Sequence, residues 1–242
     1  MSLGILVFTL LAALAGATLG RVRAAAAMRA SRAAFAPVIE RDFSQDVAVH
    51  GPLKRTIDLS ASVALLVVAA PLLLLVACFI KLDSPGPVIY RQRRVGFQGQ
   101  AFSVYKFRSM RLDAEKDGPR YAAVNDQRVT KVGRLIRKTR IDEIPQVINV
   151  LRGEMSFVGP RPERPEFVSD LERAIPNYHA RHLVKPGITG WAQVKYHYAA
   201  TIEGAREKLR YDLEYMQRYT PVLDLIIILM TVRVALFGVG SR

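Results

Sequence analysis

The 242-residue chain has one cysteine, one tryptophan and four histidines, and it is short of acid: 21 Asp and Glu against 35 Lys and Arg, a formal net charge of +14. Each shortage excludes something. Cys78 has no partner for an internal disulfide and lies in an apolar run, so a disulfide scaffold is ruled out. His179 and His182 stand three apart with no third ligand beside them, which argues against a zinc centre. The lack of acid is also local. From Arg91 to Arg111 (RQRRVGFQGQAFSVYKFRSMR) and from Arg128 to Arg140 (RVTKVGRLIRKTR) every charged residue is basic. Charge alone would suit a nucleic-acid binder, but half the chain is hydrophobic and the basic runs are poor in exposed aromatics. A membrane protein whose basic parts face anionic lipid or an anionic substrate accounts for both properties.

Three apolar runs organise the chain. Residues 4–20 (GILVFTLLAALAGATLG) are uncharged and followed by Arg21 and Arg23. That length just spans a bilayer, and the missing basic n-region favours an anchor over a cleaved signal peptide. Residues 21–53 then read as an alanine-rich linker. The second run, Ile57 to Ile80, has basic residues at both ends: Lys54 and Arg55 before it, Lys81, Arg91, Arg93 and Arg94 after it. The positive-inside rule wants both ends in the cytoplasm, which one straight crossing cannot satisfy. Pro71, near the middle, removes an N–H and clashes with the preceding turn. A helix that enters, breaks there and returns satisfies the charge rule, with Ser60 or Ser62 as hydroxyl partners for freed carbonyls. A simple kinked span is the alternative. The third run, residues 221–238, is interrupted by Asp224 and Arg233 and suits an interfacial or buried helix.

Between these runs, residues 91–111 alternate around Phe102, Val104, Tyr105 and Phe107, with Gly96 and Gly99 as turn residues: a strand or hairpin. In residues 128–140, Val132, Leu135, Ile136 and Ile141 recur at helical spacing, opposite a basic face. Ile144, Val147, Ile148 and Leu151 make a further helical stripe. Asp142 and Glu143 sit between the two, just before Pro145, which a helix tolerates only in its first turn. The pair therefore lies at a helix N-terminus, or one helix kinks there. A carboxylate can attack phosphorus once cations and a divalent metal quiet the repulsion of a diphosphate. One acid then serves as nucleophile and the other as ligand to Mg²⁺, which takes only one or two protein carboxylates. The plainer reading is a capping acid with a surface neighbour. Glu207, Lys208, Asp212 and Glu214 read as a solvated helix face with some ion pairs, and Trp191 as packing or an interface anchor.

Six ordered motifs carry a resemblance: KRTIDL (54–59), the proline-interrupted run, SPGPVIYRQRRVG (84–96), FSVYKFRSM (102–110), RIDEIPQVINVLRGEMSFVGPRP (140–162) and KPGITGWAQV (185–194). Over about residues 54–238 the chain resembles the bacterial sugar transferases, monotopic polyprenyl-phosphate phosphoglycosyl transferases of the exopolysaccharide type with an N-terminal membrane extension. The resemblance implies an α+β fold, mainly α. It would comprise an anchor (1–20), a linker (21–53) and a transferase domain (54–242) with a re-entrant helix at about 57–82 broken at Pro71. A small cytoplasmic catalytic domain and interfacial amphipathic helices would complete it, at the bacterial inner membrane. Asp142 would attack the β-phosphate of a UDP-sugar, release UMP and hold the sugar phosphate covalently until undecaprenyl phosphate takes it. Glu143 would bind Mg²⁺. Lys106, Arg108 and Arg161 would meet phosphate or nucleotide, as would Gln146 and Asn149. This is the first membrane step of exopolysaccharide or other surface-glycan synthesis, with membrane lipid, a homo-oligomer and further glycan-assembly enzymes as candidate partners and no nucleic acid. A membrane scaffold without catalysis is the alternative. One departure matters: many relatives carry Asn-Gly-Arg or Ser-Gly-Arg after the Gln-Val of the last motif, where this chain has Lys195-Tyr196-His197-Tyr198.

Overall fold

A computed structural model describes residues 51–116, 118, 126–196 and 201–237. The expected anchor and nearly all of the expected linker lie outside them. The described part is mainly helical, with four short strands in two two-stranded sheets.

Helix α1 (Pro52–Asp83) is 32 residues long and opens on Pro52, whose missing N–H costs nothing in a first turn. Its most apolar 18-residue window has a mean hydropathy of 3.1, and only 17% of that window is buried. Val67, Val68 and Leu74 are about 70% exposed or more, at 70%, 77% and 69%. Large bare side chains over that length mark a membrane-associated protein. The helix is not interrupted at Pro71: a single proline removes one hydrogen bond, and the turns on either side continue. Ser62 does not serve the carbonyl that Pro71 frees; its hydroxyl donates one turn back, to the Asp58 carbonyl at 2.7 Å.

Both ends of α1 are fastened to the rest of the domain. At the N-terminal end a stripe at i, i+4 spacing, Lys54, Asp58 and Ser62, faces inward and is buried. Lys54 pairs with Asp224 at 2.6 Å, and Asp58 accepts from the Ser156 hydroxyl and the Phe157 N–H, each at 3.1 Å. Arg55 donates to the carbonyls of Val150 and Leu151 at 2.5 and 2.9 Å. At the other end Val76 and Ile80 pack with Phe107 and Ile136, and the Asp83 carboxylate accepts from the Val132 N–H at 3.0 Å.

Strands β1 (Ile89–Val95) and β2 (Ala101–Phe107) form the expected antiparallel hairpin, Ile89 opposite Phe107 and Val95 opposite Ala101. The turn needs its glycines: Gly99 has φ +74, and a Cβ on Gly96 would stand 2.8 Å from the Phe102 ring. Helix α2 (Lys131–Lys138) is capped by Thr130, whose hydroxyl accepts from the Gly133 N–H at 2.9 Å. The chain then turns at Arg140 in the left-handed region and enters a 3₁₀ segment, Ile141–Gln146, which leads into α3 (Val147–Arg152). Three residues per turn in that segment shift the phase of the helix beyond it. The expected stripe is therefore rotated: Ile148 points outward, while Gln146, Val147, Asn149 and Val150 are buried.

Strands β3 (Ser156–Val158) and β4 (Gly187–Thr189) pair in parallel. Between them in sequence lies α4 (Pro165–Ala174), and after them α5 (Trp191–Lys195), α6 (Ile202–Gln217) and α7 (Pro221–Phe237). As expected for an interfacial or buried helix, α7 buries Asp224 and Ile227 and exposes Val222, Leu225, Leu229 and Val232.

Candidate active site

The 3₁₀ segment carries the acid pair in its first turn and lies against β2. Glu143 is 7% exposed and is held by three cations from three places. Lys106 of β2 reaches its Oε1 at 2.9 Å, and Arg161 reaches the same oxygen at 2.5 Å. The second Arg161 nitrogen and Arg140 approach Oε2 at 3.4 and 3.8 Å. Burial alone would raise the Glu143 pKa, but Arg161 and Lys106 outweigh it and hold this carboxyl well below its usual range. Arg161 is raised in turn, first by Glu143. Lys106 is lowered, first by burial, with Glu143 opposing.

Asp142 is different. Its carboxylate is part-buried and makes no hydrogen bond or ion pair with any described residue, nor does any side chain cap this 3₁₀ turn. The plain capping role is thus not the one it takes. Burial first and the Glu143 charge second push its pKa up to about 6, against the pull of Lys106, Arg137 and Arg161. Two adjacent acids are driven apart: one locked as an anion, the other unpaired and poised near neutrality, a division that recurs where carboxylates share chemical work.

Arg161 is aimed by its backbone. Gly159, Gly187 and Gly190 let two loops meet closely: a Cβ on any of them would fall within 2.4 Å of backbone, at 2.4, 2.2 and 2.2 Å respectively. The Gly159 N–H donates to the Thr189 carbonyl, and the Gly187 N–H to the Pro160 carbonyl, both at 2.9 Å. Pro160 and Pro162 stiffen the turn from either side. Arg94 of β1 donates to the Pro162 carbonyl at 3.0 Å. Arg181 donates to the Arg161 carbonyl at 2.9 Å while buried against Asp212 at 2.8 Å and the Tyr178 hydroxyl at 2.6 Å. The Arg161 side chain still keeps 27% of its surface exposed, and that of Lys106 17%, so both can reach a ligand.

Asp142, Glu143, Lys106 and Arg161 are thus brought together. Two other expected residues, Arg108 and Asn149, turn to other partners. Arg108 is buried and turns to the end of α1, donating to the carbonyls of Ser84 (2.7 Å), Ile80 (3.4 Å) and Pro85. A guanidinium there satisfies carbonyls that a helix C-terminus leaves open. Asn149 is fully buried: it accepts from the Tyr105 N–H at 3.1 Å and donates to the Ser103 carbonyl and Glu154, both at 2.7 Å, which ties α3 to β2. Gln146 is 2% exposed, and its Nε2 has no partner among the described residues.

Sequence reasoning missed Arg181 and Asp212. Asp212, read as part of a solvated face, is 1% exposed and pairs with a residue 31 positions away. The ion pairs expected beside it are present, Glu207 with Arg210 at 3.1 Å and Glu214 with Arg218 at 2.9 Å. His182 is buried against the Tyr178 edge, and burial with the Arg181 charge lowers its pKa to about 3, so it stays neutral.

Magnesium prefers hard oxygen ligands, commonly one or two carboxylates with phosphate oxygens and water. Among the described residues no three His, Cys, Asp or Glu side chains gather into a ready metal cage. The sparser arrangement fits: Glu143 Oε2 has only the two longer cation contacts, at 3.4 and 3.8 Å, and Asp142 adjoins it unpaired. A cavity of about 250 Å³ lies elsewhere, bounded by Trp191, Tyr215, Arg218 and Leu223 among others, and shares no residue with this cluster.

An acid pair set among cations, on a domain that carries a bare apolar helix, defines a membrane-associated protein with a site suited to an anionic substrate. The bacterial sugar transferase family matches residues 49–238, and the chain belongs to that family. The UDP-N-acetylgalactosamine-undecaprenyl-phosphate N-acetylgalactosaminephosphotransferase of Aeromonas hydrophila is 46% identical over 194 residues, covering 80% of this chain and 46% of the relative. The undecaprenyl-phosphate glucose phosphotransferase of Komagataeibacter xylinus is 48% identical over 191 residues, 76% of this chain and 36% of the relative. The exopolysaccharide production protein PSS of Rhizobium leguminosarum bv. phaseoli is 44% identical over 186 residues, 74% of this chain and 93% of the relative. The chain therefore spans less than half the length of the first two and nearly all of the third.

Proposed function

We propose that this chain transfers a sugar 1-phosphate from a UDP-sugar to undecaprenyl phosphate through a phosphosugar intermediate on Asp142. The observation that carries the reading is the division of labour in the acid pair: Glu143 is held as an anion by Lys106, Arg161 and Arg140, chiefly through Oε1, while Asp142 has no partner among the described residues. An Asp142 oxygen attacks the β-phosphorus, and the bond from that phosphorus to the bridging oxygen breaks. UMP leaves with the electron pair. A phosphate oxygen of the acceptor then attacks the same phosphorus, and the Asp142 carboxylate departs, leaving a sugar diphosphate on the lipid. Lys106 and Arg161 line the path and offset charge on the phosphoryl oxygens. Mg²⁺, when bound, would be held by Glu143, with Asp142 adjoining, and would neutralise diphosphate charge.

The names of the relatives support the reaction class and differ in the sugar, N-acetylgalactosamine in one and glucose in another at nearly equal identity. Identity alone therefore selects no sugar. Incubation with UDP-sugar labelled in the β-phosphate and the sugar should leave label on the protein when acceptor is withheld, and release it when undecaprenyl phosphate is added. A protein that forms product yet never carries label would exclude the covalent route and leave Asp142 as a general base.

The same proposal makes α1 re-entrant, with a bend at Pro71 in place of the break expected from sequence, the helical turns continuing through it. A straight 32-residue helix is about 48 Å long, against about 30 Å of bilayer hydrocarbon, and a crossing helix leaves its ends on opposite sides. Here Arg55 and Asp83 both bond to one domain. In a Cys78→Ser background, Thr56→Cys and Ser84→Cys should both resist an impermeant thiol reagent in intact cells and react after permeabilisation. Reaction of one of them from outside would mean a true crossing.

A further inference from the structure

The cavity of about 250 Å³ that stands apart from the acid pair is walled by Trp191 of α5, Tyr215 of α6, and Val222, Leu223 and Ile226 of α7. The charges and hydroxyls of its lining are already engaged. Arg218 pairs with Glu214 at 2.9 Å, the Thr220 hydroxyl accepts from the Leu223 N–H at 3.0 Å, and the Tyr215 hydroxyl donates to Asp224 at 2.7 Å. A guest therefore meets mainly apolar surface, which suits a hydrocarbon and not a sugar or a nucleotide. A cavity of about 150 Å³ takes a benzene ring, so this one has room for about ten carbons.

Its surroundings say which hydrocarbon. Val222 and Ile226 belong also to a row at i, i+3, i+4, i+7 spacing, Val222, Leu225, Ile226 and Leu229, all exposed. The cavity therefore opens onto the bare apolar face of α7. Beside it Asp224 takes Lys54 at 2.6 Å, in the first turn of the bare helix α1. On the inner side the Tyr215 hydroxyl lies 3.2 Å from the Val158 carbonyl. Val158 precedes Arg161 by three residues, a stretch of chain that spans at most about 11 Å. The cavity thus joins an apolar surface to the turn that carries Arg161. Of the reactants proposed above, only the acceptor has a hydrocarbon chain. We propose that the cavity seats about two isoprene units of the acceptor's polyprenyl chain, close to its phosphate, and so selects this acceptor from other lipid phosphates. This rests on the transfer reaction proposed above.

The test uses the full-length protein in phosphatidylcholine nanodiscs. A benzophenone-bearing residue in place of Ile226 should cross-link radiolabelled undecaprenyl phosphate. An excess of unlabelled undecaprenyl phosphate should suppress the cross-link, and the same excess of phosphatidylglycerol should not. Ile226→Trp narrows the cavity and should raise the KM for undecaprenyl phosphate by about tenfold or more, the loss of about two buried methylenes. Label taken from UDP-sugar without acceptor should stay at the wild-type extent, which reports an intact fold and donor step. Leu229→Trp, in the same exposed row but outside the cavity, should leave the acceptor KM unchanged. Three results would overturn the assignment: no cross-link, a cross-link that phosphatidylglycerol removes equally, or an acceptor KM that Ile226→Trp leaves unmoved or Leu229→Trp raises as much. Should Ile226→Trp also lose the label, the cross-link alone decides. Cross-linking needs no turnover, so a wild type that transfers nothing from any UDP-sugar would instead sink the transfer reaction itself.

Discussion

Asp142→Asn is expected to lower UMP release at least about a thousandfold, since an amide cannot act as the nucleophile, and yet to yield the more stable protein. The two effects share one cause. Burial and the Glu143 charge raise the Asp142 pKa from 3.8 to about 6. For an acid whose folded pKa is raised, its contribution to stability is fully present below the unfolded value and is lost as pH rises through the folded one. Between about pH 4 and pH 6 the wild type should therefore lose ground to the variant. At pH 7.5 the variant's advantage should be on the order of 1–2 kcal/mol, reduced from the full shift because the group is part-exposed. Thermal unfolding of both proteins at pH 4 and pH 7.5 reads this directly: the gap in Tm should open at the higher pH. The rate carries the opposite sign, because attack needs the carboxylate. In the free enzyme, kcat/KM should fall as pH drops below about 6. A variant that retains turnover, or a wild type whose rate is flat from pH 5 to pH 8, would refute Asp142 as the attacking group.

Arg161→Ala should be nearly as damaging. Arginines that meet a phosphoryl group in transfer enzymes contribute about 10³–10⁵ in kcat, and a loss near the lower figure is expected here because Lys106 and Arg140 remain. Arg161→Lys should recover little, since a single ammonium cannot approach both Glu143 oxygens as the guanidinium does. The residual activity should also report the electrostatics. Arg161 is the first of the charges that hold Glu143 down, and it also pulls on Asp142. Without it both carboxyls titrate higher, so the acid limb of the pH–rate profile should move to higher pH. A steady-state profile of the alanine variant measures that displacement, and an unmoved limb would show that Arg161 does not govern the pair.

The features legible in the sequence are those that depend on near neighbours. Gly99 marks the hairpin because its positive φ demands glycine locally, and Gly96 because the Phe102 ring leaves no room for a Cβ. Val132 and Ile136 mark the inner face of α2 by their own spacing, and the acid pair stands out as the first negative charge after a basic run. Arg161 was legible only through the motif that carries the family resemblance. Arg108 was not, because a guanidinium reads the same in sequence whether it meets a phosphate or three carbonyls of a helix end. Asn149 misled for a different reason: the 3₁₀ segment shifts the phase of α3 and turns this side chain inward. The Arg181–Asp212 pair spans 31 residues, and neither member has a local reason to seek the other. The glycines of KPGITG are where one loop presses on the next.

The double fastening of α1 has a mechanical consequence. A domain tied to an apolar rod at one point can swing, but one tied at Lys54–Asp58 and again at Ile80–Asp83 cannot pitch without stretching a mooring. The acid pair is carried on the stretch between them, with α2 on one tether and α3 on the other. In the proposed reaction its height above the lipid would thereby be set like the draught of a boat anchored fore and aft, and the long acceptor would arrive at a berth that does not drift.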